Sequence, residues 1–133
     1  MSDSEIVRTL AEKVMGWKLR DTRPTQVSEH PYYEWRPRGE LCIWPHWGAY
    51  GTVWNPLKNI ADAFQILNAG EWDYVIRKSR SDGLYHVWII NSVWAENHRG
   101  ELPEPGNPNL YGYGYGEELA RAISNALVAV EGK

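Results

Sequence analysis

The sequence predicts an α+β fold with a mainly antiparallel sheet. Three observations carry that expectation. Apolar stripes at helical spacing occur near the start, middle and end of the chain; a hairpin signature lies between the second and third; and strands do not alternate regularly with helices as in parallel sheets. At 133 residues the chain fits one domain with one core.

The first helix opens at Ser2-Asp3-Ser4-Glu5, where Ser followed three residues later by Glu is a capping-box pattern. Ile6, Leu10 and Val14 then recur every four residues with Val7 and Ala11 beside them, and Gly16 is a natural stop. The next stretch holds three prolines and many charges and reads as extended loop up to LCIW (41–44), a strand ended by Pro45. PHWGAYGTVW follows as a hairpin or wide turn. In WNPLKNIADAFQIL (54–67), Pro56 suits a first helical turn, because its missing N–H would have no intrahelical partner there. Either Asn55, or Asn59 with Asp62 three residues on, supplies the capping oxygen, and Leu57, Ile60, Ala61, Phe64 and Leu67 form the apolar stripe.

EWDYVIRK (71–78) alternates, with Trp72, Tyr74 and Ile76 on one face and Asp73, Val75 and Arg77 on the other. SRSDG is a turn cluster, and LYHVWIINSVW (84–94) returns as a strand that is apolar on both faces near Val87–Ile90, hence central. Residues 96–116, with three prolines and five glycines, read as one long irregular segment. The chain closes with a helix whose buried stripe is Leu119, Ala122, Ile123, Ala126, Leu127 and Val130.

Composition narrows the function classes. Hydrophobic residues make up 43% and charged residues 23%, the balance of a globular chain. With 14 basic against 17 acidic side chains, the surplus of Lys and Arg that tracks duplex nucleic acid is absent. The single cysteine, Cys42, excludes an intrachain disulfide and agrees with a reducing compartment. The acidic, amphipathic N-terminus has no secretion-signal pattern, and no apolar run approaches the ~20 residues that span a bilayer. A soluble cytoplasmic protein is expected. Eight Trp and eight Tyr stand against one Phe. Cores packed for volume use Phe freely, whereas Trp and Tyr pair a flat face with a hydrogen-bonding tip and suit surfaces that meet something.

The blocks LAEKVMGWK (10–18), WNPLKNIADAFQIL (54–67), WDYVIRK (72–78) and AISNALVAV (122–130), together about half the chain, resemble the phage ABA-sandwich domain of small proteins in Bacillus-type phages and prophages. The resemblance implies a layered α/β/α sandwich, here with three main helices, over a single domain at 1–133, and a phage or prophage origin in a bacterial host's cytoplasm. It implies no reaction. The departures are aromatic-rich insertions, expected to be irregular, at about 19–50 and 96–116.

No catalytic constellation is legible. The histidines His30, His46, His86 and His98 have no metal-ligand spacing, and His86 reads as a packing residue on a strand. Cys42 reads as a buried thiol, and Ser28-Glu29-His30 are chain neighbours rather than a triad. YGYGYG (111–116) fits neither phosphate-loop pattern, and Glu117-Glu118 at the next helix start would repel phosphate. It reads instead as a mobile glycine loop whose Tyr111, Tyr113 and Tyr115 either pack on the surface or close over a flat ring. Trp35, Arg36, Arg38, Trp44, His46, Trp47 and Tyr50 offer matching rings and arginine forks, with Arg99 as a further fork. The expected function is therefore a non-catalytic accessory protein that binds a small phosphorylated aromatic ligand without cofactor or metal, and sequesters a nucleotide signal of bacterial defence. The alternative is a module that docks a host or phage protein through its Trp/Tyr surface. Under either reading so many Trp point to a homo-oligomer.

Overall fold

The computed structural model describes residues 2–16, 18–19, 32–35, 41–44 and 52–131. Ser2 caps α1 (Asp3–Thr9) through the reciprocal box: the Glu5 N–H donates to Ser2 Oγ at 3.2 Å and the Ser2 N–H to Glu5 Oε2 at 3.3 Å. The helix then widens to π-helical bonding over Leu10–Val14, with the Met15 N–H reaching back to the Leu10 carbonyl, and Gly16 leaves it at φ +71°. Ile6, Val7, Leu10 and Ala11 are buried along one side.

Four short strands follow in a mainly antiparallel sheet of order β1-β2-β3-β4: β1 (Lys18–Leu19), β2 (Tyr32–Trp35), β3 (Leu41–Trp44) and β4 (Thr52–Val53). The first pair is parallel and the other two antiparallel. The expected irregular insertion at 19–50 thus carries strands, one at LCIW and one at Tyr32–Trp35, which no local alternation announced. Cys42 is buried, as a thiol between apolar neighbours should be.

The Trp-Asn-Pro entrance has a different use from the one expected. Helix α2 (Ile60–Leu67) begins four residues after Pro56, capped by Asn59, whose Oδ1 accepts from the N–H groups of Ala61 and Asp62. Asn55 organises the preceding turn instead: its Oδ1 accepts from Leu57 N–H, its carbonyl from Lys58 and Asn59, and its own N–H donates to Asp62 Oδ2. Both capping candidates are therefore in use, one for each structure. Starting at residue 60 rotates the buried stripe, so Ala63, Ile66 and Leu67 are buried while Ile60 and Ala61 face out. Trp54 is 1% exposed, with its indole N–H on Gln65 Oε1 at 3.1 Å; it is a core residue.

The second sheet has order β5-β6-β7, all antiparallel: β5 (Asp73–Lys78), β6 (Tyr85–Ile90) and β7 (Leu110–Gly116). The expected hairpin and the central position of its second strand are as observed. That strand ends at Ile90 because Asn91 caps a short helix, α3 (Ser92–Asn97), accepting from Val93 and Trp94. The chain closes with α4 (Leu119–Glu131).

YGYGYG is not a glycine loop but the edge strand β7, and the 96–116 segment is irregular only before Leu110. Its period of two places tyrosines and glycines on opposite faces. A Cβ on Gly112 or Gly114 would collide with the α4 backbone, at the Ala126 carbonyl and the Ala126 N–H respectively. Glycine is used here for close approach of a helix to a strand, not for mobility. With α4 seated on β6 and β7, and α1 and α2 packed against α4, helices and sheet form layers around one core that runs from Leu10 through Trp54, Ile66, Val87 and Ile89 to Ile123 and Leu127. This is an α+β sandwich of helices on an antiparallel sheet.

Candidate functional site

The register of the second sheet assigns its two faces. Tyr74, Ile76, Val87, Ile89, Gly112 and Gly114 belong to the helix side; Val75, Arg77, His86, Trp88, Tyr113 and Tyr115 share the other. On that open side Trp88 pairs with Tyr113 and His86 with Tyr115, giving a continuous aromatic patch. Ring centroids are 5.3 Å apart for Trp88–Tyr113 and 6.2 Å for Tyr113–Tyr115, and the His86 ring lies within 27° of parallel to Trp88, Tyr113 and Tyr115. Tyr113 and Tyr115 are 38% and 55% exposed.

His86 is held at both nitrogens. Nε2 lies 3.0 Å from Asp82 Oδ2 and Nδ1 lies 2.5 Å from the Tyr113 hydroxyl. A carboxylate only accepts, so Nε2 carries the proton, and a neutral ring then offers Nδ1 to the Tyr113 O–H. Asp82 is positioned by the hairpin turn, where its Oδ1 accepts from the Leu84 N–H at 2.8 Å. That backbone bond is the main reason its carboxyl sits below the usual carboxylate range, with His86 adding to it. Partial burial, then the nearby Asp82 charge and Tyr115, push the Tyr113 phenol above its ordinary value. Tyr113 is thus a proton-bearing donor at neutral pH rather than a phenolate nucleophile. The carboxylate–imidazole–phenol chain is a continuous hydrogen-bonded line of groups along this partly exposed face.

Among the described residues expected to form the site, Tyr113 and Tyr115 come together on this face. Tyr111 sits at a register shift in β7, packs partly on the core, and accepts a 2.7 Å bond from the Asn91 amide. Arg99 is exposed in the turn after α3. Trp35 and Trp44 lie on β2 and β3 by their backbone. Arg36, Arg38, His46, Trp47 and Tyr50 lie outside the described residues. His86, Trp88 and Asp82 were missed. Their signal is the pairing of Y-H-V-W against G-Y-G-Y across a sheet, with Asp82 four residues before His86 at the turn, and it becomes legible only when β7 is recognised as a strand.

Among the described residues no group of three or more His, Cys, Asp and Glu is placed to hold a metal, and no helix is long and apolar enough to cross a membrane.

No family model matches the chain, and no curated protein matches it. A crystal structure of a phage protein from Bacillus cereus is similar in fold, with a TM-score of 0.53 at 19% identity over 98% of this chain and 92% of that one. At that identity the likeness is one of fold, extending over the whole chain and reaching a Bacillus-type phage protein without assigning the chain to the ABA-sandwich family.

Proposed function

We propose that this chain is a non-catalytic accessory protein of phage or prophage origin, acting in the bacterial host's cytoplasm, that docks a protein partner through the open face of the β5-β6-β7 sheet. The observation that carries the reading is the contiguous patch of His86, Trp88, Tyr113 and Tyr115, its two tyrosines exposed, on the sheet face turned away from α4. Trp and Tyr anchor protein interfaces because they bury large rigid areas at little entropic cost. A second copy of the chain is one such partner.

A second reading has its own support. Arg77 pairs with His86 in the register and shares the aromatic face, so a flat ring stacked on Trp88 or Tyr113 would have a guanidinium nearby for a phosphate. Stacking contributes ~1–3 kcal/mol per base. Sequestration of a nucleotide messenger needs no more than that chemistry.

One paired experiment separates them. Tagged wild-type protein and the Trp88→Ala/Tyr115→Ala variant are incubated with host lysate and with a nucleotide panel, and what each retains is identified by mass spectrometry. A protein held by the wild type and lost from the folded variant supports docking. An intact nucleotide released on heating supports the second reading. Equal retention by both proteins removes the sheet face from either role.

A further inference from the structure

We propose that the outer edge of β5 binds a second copy of this chain, by antiparallel pairing of β5 with β5 across a two-fold axis. This edge is separate from the aromatic face, and the inference does not rest on what docks there.

The two edges of the second sheet are treated differently. β6 lies in the middle, so β5 and β7 each have a strand on one side only. The Ser79 N–H donates to the Leu84 carbonyl at 2.9 Å, and the register runs unbroken from Lys78 opposite Tyr85 to Asp73 opposite Ile90. Main-chain groups alternate in direction along an antiparallel strand, so those of Asp73, Val75 and Arg77 face β6 and those of Tyr74, Ile76 and Lys78 face away. The same alternation turns Tyr115 outward on β7, where its carbonyl accepts from the Asn125 side chain of α4 at 3.0 Å. On β5, among the described residues, no bond reaches the outward main-chain groups of Tyr74, Ile76 and Lys78. Asp73, Tyr74, Arg77 and Lys78 are exposed there.

An open edge is a template for strand addition, and charged side chains are the usual protection against it. On β5 the charges instead select one partner. Asp73 and Arg77 lie on the same face with Val75 midway between them, and among the described residues neither is held in an ion pair. In an antiparallel pair centred on Val75, Asp73 of each copy stands opposite Arg77 of the other. Tyr74 and Ile76, whose main-chain groups point outward, then oppose one another and exchange both their bonds. A slip of two residues sets a charge opposite Val75, Arg77 in one direction and Asp73 in the other. Charge, hydrogen bonding and two-fold symmetry therefore agree on a single register. Opposed residues share a face, so this pairing joins the two sheets into one surface that carries both aromatic patches on the same side.

The test is sedimentation velocity of the full-length protein from micromolar to millimolar concentration, with circular dichroism to establish that each variant is folded. The wild type should show a concentration-dependent dimer. Asp73→Arg and Arg77→Asp each set like charges opposite one another and should raise the dimer dissociation constant at least roughly tenfold. Asp73→Arg/Arg77→Asp restores both pairs with their signs exchanged and should return it toward the wild-type value. Val75→Cys, on the two-fold axis, should cross-link on mild oxidation, because a non-hydrogen-bonded pair holds its Cα atoms about 4.5 Å apart, within disulfide reach. Trp88→Ala/Tyr115→Ala should still dimerise, so loss of a docked partner and loss of the dimer are read separately. A wild type that stays monomeric, single variants as dimeric as the wild type, no recovery in the double charge variant, or no cross-link would overturn the proposal. So would a dimer lost in Trp88→Ala/Tyr115→Ala, which would place the contact on the aromatic face.

Discussion

Gly114→Ala tests whether α4 lies directly on β7. On chain entropy alone, replacing a strand glycine by alanine should stabilise the fold by about 0.4–1 kcal/mol. The structure reverses that sign. A Cβ at Gly114 would stand 2.7 Å from Asn125 C and 2.8 Å from the Ala122 carbonyl oxygen, with Ala126 N closer still, whereas ordinary contact begins at 3.4 Å. All three obstacles are helix backbone, which cannot rotate aside, so α4 must lift and loosen Ala122, Ile123, Ala126 and Leu127 from their neighbours. Overpacking costs about 1–3 kcal/mol, and an unyielding neighbour places this case at the upper end. A net loss of about 2 kcal/mol corresponds to a fall of roughly 8 °C in Tm for a chain of this size. Urea unfolding followed by circular dichroism, alongside a thermal scan, measures both quantities. Gly116→Ala should be milder, because its nearest obstacle is the flexible Arg121 side chain at 3.0 Å. A Gly114→Ala protein as stable as the wild type would refute the helix–strand contact and the faces assigned from it.

Asp62 offers a pH test. Burial raises its carboxyl above the ordinary aspartate value, against the Asn55 N–H bond that lowers it. Its contribution is therefore full below the unfolded value of 3.8 and declines as pH rises through the folded one. Asp62→Asn keeps an acceptor for Asn55 without the charge and should be the more stable protein at pH 7, with the gap closing below pH 3.8 in pH-dependent denaturation. Asp62→Ala, which leaves that N–H without its partner, should lose about 1–3 kcal/mol. The Asp3 carboxylate, bound by both arms of Arg121 at 2.9 and 3.0 Å, has a lowered pKa, so its support is present above 3.8 and lost as pH falls through the folded value. Arg121→Gln should flatten that acid limb of the stability profile. Trp54→Ala should cost about 3–5 kcal/mol by thermal unfolding, as expected for an emptied core position. In ¹⁵N spectra His86 should appear as the Nε2–H tautomer, and Tyr113→Phe should shift Nδ1 alone while the Asp82 bond persists. A wild-type Nδ1–H tautomer would contradict the hydrogen-bonded chain.

By itself the sequence determined the elements whose information is local. The Ser2–Glu5 box, the 73–90 hairpin, the terminal apolar stripe and the α+β class follow from periodicity and capping, because each signal lies within one turn or one strand pair of the residues it orders. The candidate capping atoms at Asn55 and Asn59 were legible as well, but not their division between a turn and a helix, nor the place of Pro56 before the helix rather than in its first turn. The tertiary structure decided what depends on partners distant in the chain. Tyr-Gly repetition fits a loop or a strand equally well, and burial of Gly112 and Gly114 under α4 selects the strand. That choice then turns Tyr113 and Tyr115 onto the face of His86 and Trp88, residues 25 or more positions earlier in the chain, and joins Asp82, His86 and Tyr113 in one chain of hydrogen bonds. A ring's neighbours across a sheet are set by register, and register is fixed by what the opposite face buries.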